Sequence, residues 1–182
     1  MKRIIYTALI LLWVTGCSKN EMQSYEGPSY MEFNASSDFA YRYSFIDKPL
    51  STTRDTLFIP VYLTGELSDR DRYFNMKQVE DKMQVEIIDE FGTITGYRDS
   101  LLPQAEVNVH YLAPSRDEMV IPAQKTYALV SLIILRDSSL IRKEVSIRFR
   151  LEPEDPELIG GEEKRMETVY RITDLLTPPY YW

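Results

Sequence analysis

Apolar and polar residues alternate along most of this chain. Residues 144–151 set Val145, Ile147, Phe149 and Leu151 on one side, with Glu144, Ser146, Arg148 and Arg150 on the other. Successive side chains of a strand point to opposite faces, so this pattern predicts a half-buried antiparallel strand. Residues 56–64 repeat it with Leu57, Ile59, Val61 and Leu63. Pro60, inside that run, predicts an edge position or a bulge, because proline cannot donate to a ladder. Residues 105–112 alternate Val107, Val109 and Tyr111 against Glu106, Asn108 and His110, which predicts a further strand with His110 on its polar face. Residues 30–33, 41–45, 83–88 and 168–173 are shorter runs of the same kind. The run 127–135, YALVSLIIL, differs: it is apolar on both sides and predicts a central strand covered on both faces.

Turn residues punctuate these runs at Pro28, Pro49, Gly65, Gly92, Gly96, Pro103, Pro114, Pro153, Pro156 and Gly160-Gly161. No segment shows a sustained helical stripe with a cap; residues 67–82 leave room for one helical turn. An all-β fold follows, an immunoglobulin-like β-sandwich of about seven to nine antiparallel strands.

The first residues do not fit that pattern. Lys2 and Arg3 precede an apolar stretch at 4–14, too short for the roughly 20 residues that a membrane-spanning helix needs. A positive start, a short apolar run and small residues before a cut are the marks of an export signal. Val14-Thr15-Gly16-Cys17 is similar to a bacterial lipobox, and Cys17 is the chain's single cysteine. A lone thiol in an exported protein has no disulfide partner; as a soft nucleophile it takes a diacylglycerol thioether. One acyl chain holds a membrane only marginally, whereas two or three hold it stably. Residues 1–16 are therefore read as a lipoprotein signal peptide, 17–24 as the lipidated cysteine with a flexible tether, and 25–182 as one domain.

Processing changes the charge. Removing Lys2 and Arg3 from the 21 basic residues leaves 19 against 28 acidic ones, net −9. So acidic a surface argues against nucleic acid, whose phosphates require lysine and arginine patches, and against lying flat on anionic lipid. Ser18-Lys19-Asn20-Glu21 is similar to the lysine-plus-acidic tether that sends Bacteroidota lipoproteins to the outer face of the outer membrane.

Further segments extend this likeness. YEGPSYMEFN, IPVYLTGELSDRDRYF, HYLAPSRDEMVIPAQKTYALVSLIILRDSSL and the closing PPYYW resemble a Bacteroidota surface lipoprotein family of unassigned function, from Tyr25 to Trp182. The central part also resembles a Calx-beta domain, with His110 where that fold carries an acidic residue. The first resemblance implies a role beside glycan-uptake systems, with glycan or an outer-membrane transporter complex as partner. It also implies a chain that often runs on further, so that a last strand is missing here or supplied differently.

Catalytic chemistry finds little support. The thiol is committed to the anchor, and His110 is the only histidine, which excludes two-histidine metal sites and HExxH motifs. No GxSxG elbow, phosphate-binding loop or dinucleotide glycine fingerprint is present. Two carboxylates suffice for a glycosidase, and Glu152, Glu154, Asp155 and Glu157 cluster in LEPEDPE, but prolines spread them along a turn. Asp69 and Asp71 have a metal-like spacing that Arg70 and Arg72 oppose, since oxygen sites for calcium need dense negative charge. No catalytic residue, metal or cofactor is expected.

Aromatics are the remaining signal. Thirteen tyrosines occur, of which only Tyr6 lies in the signal, and Trp182 is the one tryptophan left after processing. Flat rings stack on sugar faces while polar neighbours take the hydroxyls, although strands and interfaces also use tyrosine freely. Tyr180, Tyr181 and Trp182 follow two prolines that hold the backbone extended and are expected to form a ligand or partner contact. The reading from sequence is a non-enzymatic surface lipoprotein of the outer membrane facing the exterior, a binding or accessory module. Its rivals are a fimbria- or adhesin-type assembly subunit and, more remotely, a glycosidase.

Overall fold

The computed structural model describes residues 27–175. Twelve strands follow in chain order: β1 (Ser29–Phe33), β2 (Ala40–Ser44), β3 (Arg54–Thr64), β4 (Arg72–Val79), β5 (Lys82–Ile88), β6 (Ile94–Leu101), β7 (Tyr111–Leu112), β8 (Val120–Ile121), β9 (Tyr127–Leu135), β10 (Val145–Pro153), β11 (Leu158–Gly160) and β12 (Glu167–Thr173). One five-stranded sheet runs β11-β1-β3-β9-β7 and a second runs β2-β12-β10-β4-β8, while β5 and β6 pair only with each other. The expected all-β sandwich is the observed fold. Two outer pairings, β1 with β11 and β2 with β12, are parallel, so the N-terminal stretch is split: β1 joins one sheet and β2 the other.

The core is what the period-two runs present inward. Met31 and Phe33, Ile59 and Val61, and Val130, Leu132 and Ile134 come from the first sheet; Phe74, Val145, Ile147, Phe149 and Ile172 come from the second. Each such side chain contributes about 1.5–3 kcal/mol on burial. Tyr111 meets Phe149 edge to face at 5.9 Å, and its hydroxyl donates to Gln78 at 2.7 Å.

Several expectations are corrected. Residues 105–112 are not one strand. Asn108 takes a left-handed φ of 65°, and the Val109 and His110 amides both donate to the Glu106 carbonyl, so a local turn replaces the ladder until Tyr111. That turn buries His110 and exposes Val107 and Val109, the reverse of the expected faces. No helix forms within 67–82, where β4 stands instead. Its inward positions include Arg72 and Gln78, whose polar ends are bonded to the Glu66 carbonyl, the Ala105 carbonyl and Tyr111, and this broke the apolar alternation. β9 is central, between β3 and β7, but covered on one face only: Leu129 is 52 % exposed and Leu132 fully buried.

Pro60 keeps part of its expected edge character. The last partner of β3 on β1 is Val61, and the Leu63 amide donates towards β9, to the Thr126 carbonyl. Alternation then turns the Pro60 nitrogen to the flank that β1 has left.

His110 carries a testable consequence. Its Nδ1 accepts the Glu106 amide at 2.9 Å and its Nε2 lies 2.9 Å from the Ser139 hydroxyl, so the fold holds a neutral ring that donates from Nε2. Burial pushes its pKa below the usual 6.5, outweighing Asp137 and Glu106 nearby. A lowered histidine pKa means that the unfolded chain binds the proton more readily. Stability should be full above pH 6.5 and fall as pH drops through 6.5 towards the folded value. Urea midpoints between pH 5 and 8 should show this fall in the wild type and lose it in His110→Gln; a flat wild-type profile would contradict the assignment.

Candidate functional site

The outer face of the first sheet gathers apolar and aromatic side chains that no other described residues cover. β3 turns Phe58, Pro60 and Tyr62 outward, and β9 turns Tyr127, Leu129 and Ile133 the same way. Their register puts Tyr62 opposite Tyr127 and Pro60 opposite Leu129. Phe58 is 61 % exposed and Tyr127 50 % exposed. The Tyr62 and Tyr127 rings lie 6.4 Å apart at 36°. On the other flank Glu32 stands opposite Tyr62, and Tyr30 stands between Thr64 and Ile159. Large apolar patches of this kind on a protein surface mark interaction sites.

This face runs into a cleft. Where β1 ends, the chain crosses to the second sheet as β2, and among the described residues no strand pairs with the flank of β3 below Val61. The opening is about 380 Å³, with Leu57, Phe58 and Pro60 on one wall, Tyr41, Tyr43 and Tyr170 on the other, and Asn34 and Arg42 as polar groups. Tyr41 stacks on Tyr170 with centroids 5.2 Å apart and planes at 19°, and Phe39 meets Tyr41 edge to face. Tyr43 packs edge to face on Phe45 and donates its hydroxyl to Asp55 at 2.7 Å.

Burial holds the Tyr43 and Tyr170 phenols protonated. Burial pushes the Tyr170 phenol up to about 12. Burial, then the bond to Asp55, raises that of Tyr43 further. Asp55 is held below the usual carboxylate range by the Tyr43 hydroxyl, the Thr56 amide and Lys48, with Lys48 at 3.1 Å. The cleft thus presents ring faces, neutral hydroxyls, one carboxamide and one guanidinium, a set suited to holding a polyhydroxylated or amphipathic ligand by stacking and hydrogen bonds.

The other residues singled out in the sequence do not join this site. Arg70 lies between Asp155 and Glu157 at 3.4 and 2.8 Å, and Arg116 bonds Glu154 at 2.7 Å, so three of the four LEPEDPE carboxylates are partnered by arginines, while Glu152 lies 4.0 Å from Lys77. Asp69 accepts from the Gln124 carboxamide, and Asp71 from the Ala123 amide; the two carboxylates hold the turn at 122–125 rather than converging. No three metal-ligating side chains stand together among the described residues. Cys17 with its tether, and Tyr180, Tyr181 and Trp182, lie outside the described residues. The exposed face itself was missed. Its signal was present in Phe58, Pro60 and Tyr62 at outward positions of a strand whose other face is already apolar, opposite the two-sided YALVSLIIL.

Comparison with known proteins agrees at both levels, fold and anchor. Residues 1–18 match the prokaryotic membrane lipoprotein lipid attachment site, so the chain is a membrane-anchored lipoprotein. No curated protein matches in sequence. The apo-form Calx CBD1 domain superposes with a TM-score of 0.50 at 10 % identity, over 81 % of this chain and 98 % of its own, which is a likeness of fold. A protein of unknown function from Bacteroides ovatus gives 0.47 at 13 % identity, covering 78 % of this chain and 43 % of its own. A two-domain protein of unknown function from Bacteroides fragilis gives 0.48 at 13 %, covering 81 % and 46 %. The chain spans less than half the length of either Bacteroides protein.

Proposed function

We propose that this lipoprotein is a non-enzymatic module that binds glycan at the exterior face of the outer membrane, as an accessory of a glycan-uptake system. The observation that carries this is the continuity of the Tyr62–Tyr127 face with the tyrosine-walled cleft at Phe58 and Pro60. Stacked rings grip the apolar faces of sugar residues, and protonated phenols, Asn34 and Arg42 supply directional bonds to their hydroxyls. The resemblance of residues 25–182 to the Bacteroidota surface lipoproteins, and of the residues after Cys17 to an export tether, supports the outer-membrane placement and a transporter complex as neighbour.

Retention of the full chain on a panel of immobilised polysaccharides tests the reading. At least one should retain the wild type without releasing reducing sugar. The Tyr62→Ala/Tyr127→Ala pair should weaken that retention by about thirtyfold, the loss of one aromatic hot spot of roughly 2 kcal/mol. Retention unaffected by the substitutions, or absent throughout, would rule the reading out, and released product would favour a glycosidase.

One observation favours a second reading, an assembly subunit of fimbria or adhesin type. The flank of β3 left free beyond β1 is an opening to which an extended segment of another chain can add as a strand. A chain that binds no polysaccharide but forms a ladder of heat-stable multimers would support it.

A further inference from the structure

The β5–β6 hairpin is a free-standing ribbon, since neither strand pairs with any other element among the described residues. Its root is clamped: the Leu102 amide and the Gln104 carboxamide both donate to the Asp81 carbonyl, and the Asp81 amide donates back to Gln104. Its tip is pre-formed, with Asp89 accepting from the Phe91 and Thr93 amides and Gly92 at φ 81°. One face of the ribbon carries Met83, Val85 and Ile87, opposite the small or polar Ser100, Arg98 and Gly96. Met83, Ile87, Ile88, Ile94, Tyr97 and Leu101 are all exposed, and Phe91 at the tip is 84 % exposed. Two strands alone are marginal in water; three or more with an apolar face are stable.

The two edges of this ribbon differ. β6 is bent: its pairing slips between Ile87 and Ile88, where Gly96 and Ile94 are the successive partners and Thr95 is left over. Bulges of this kind protect an edge from pairing. β5 is regular, without proline or glycine, and its free backbone points outward. Its sequence Met83-Gln84-Val85-Glu86-Ile87 reads alike in character in both directions from Val85. An antiparallel twin placed on a two-fold axis through Val85 would set Met83 opposite Ile87, Gln84 opposite Glu86 and Val85 opposite itself. Every pair then matches apolar with apolar or amide with carboxylate, all on the correct face. A two-fold on β6 through Arg98 would instead oppose two guanidiniums, and like charges directly opposite destabilise a ladder.

The ribbon also stands clear of the end of the sandwich where β1 starts. At the start of β1, Ser29 pairs with Leu158 and Tyr30 with Thr64, the last residue of β3. Asp81 lies beside Ser146 and Arg148 at the start of β10. That start pairs with the end of β12, which Asp174 ties to Arg136 just past β9, at the far end of β3. The hairpin therefore springs from the end of the sandwich opposite Ser29, and among the described residues its β5 edge is open to a neighbour.

We propose that the β5 edge pairs with the β5 edge of a second copy of this chain, joining two hairpins into a four-stranded antiparallel sheet centred on Val85. Isologous contacts of this kind close as two-fold dimers. Confinement of anchored copies to one membrane raises their effective concentration, which favours a small interface.

Thiol crosslinking of the lipidated chain in phosphatidylcholine vesicles tests this without any glycan present, so its outcome is separate from that of the ligand reading. Val85→Cys places two thiols across the axis. It should form a disulfide dimer at least about tenfold faster than Tyr97→Cys on the β6 edge, as expected for a pre-associated pair over random encounter. The wild type serves as control for the Cys17 sulfur. Adding Ile87→Lys to the Val85→Cys chain sets a charge opposite Met83 and should return the rate to that of Tyr97→Cys. Equal rates at Val85 and Tyr97, no dimer above the wild type, or a rate indifferent to Ile87→Lys would each overturn the proposal.

Discussion

Replacing Asp81 with alanine should lower stability by about 3–5 kcal/mol, the cost of removing one partner from a buried ion pair. The Asp81 carboxylate is 1 % exposed. One of its oxygens accepts from Arg148 Nε and Nη2 at 2.9 and 2.7 Å, and the other accepts from the Ser146 hydroxyl. Arg148 also donates to Glu167 at 2.9 Å, and Glu167 accepts from Arg150 at 3.0 Å. Alanine leaves the half-buried guanidinium with Glu167 alone and strands the Ser146 hydroxyl. The melting temperature should fall by about 10 °C, given roughly 2–4 °C per kcal/mol for a chain of this size. Asp81→Asn, which keeps an acceptor oxygen but not the charge, should fall in between. A loss below about 0.5 kcal/mol, the level of an ordinary surface substitution, would show that water screens the network.

This network also shows where reading from sequence stops. β10 was readable because it sits in mid-sheet with one face on the core, so Val145, Ile147, Phe149 and Leu151 alternate cleanly. Its other face was expected to be solvated, yet Ser146 is buried and Arg148 half-buried. The cause is non-local. β4 leaves β10 after Val79, and residues 103–105 take its place, with the Ala105 amide donating to the Ser146 carbonyl and the Ser146 amide to that of Pro103. No local pattern announces such a replacement.

At 105–112 the failure runs the other way. Val107, Val109 and Tyr111 imitate a strand, but three hydrogen bonds within 106–111 satisfy the backbone locally and the alternation is never used. β6 escaped notice because neither of its faces is buried, and selection for alternation acts only where one is. The candidate site was readable in its parts alone. Tyrosines as a class pointed to binding, whereas the meeting of Tyr62 with Tyr127 depends on a register between distant strands. The cleft depends on β1 stopping at Phe33.

The two faces of β9 can be separated by the same substitution made three residues apart. Leu132→Ala removes a side chain with no exposed surface, beside Leu57 on the adjacent strand and facing the second sheet. Such truncations cost about 2–5 kcal/mol, the transfer term plus the cavity left behind. Leu129→Ala removes a side chain that stands half in water opposite Pro60, and should change stability by no more than about 0.5 kcal/mol. In chemical denaturation Leu132→Ala should shift the midpoint without changing the slope, while Leu129→Ala should unfold with the wild type. In polysaccharide retention the order reverses. Folded Leu132→Ala should bind as the wild type does, because the inner face touches no ligand. Leu129→Ala should bind more weakly, because Leu129 fills the floor between Tyr127 and the Pro60 end of the cleft. An apolar residue that contributes little to stability and much to retention would explain why this strand is apolar on both faces: one face builds the core and the other meets the ligand. If Leu129→Ala instead destabilises as much as Leu132→Ala, the outer face is covered by protein, and the two-sided reading of YALVSLIIL was correct in its simplest form.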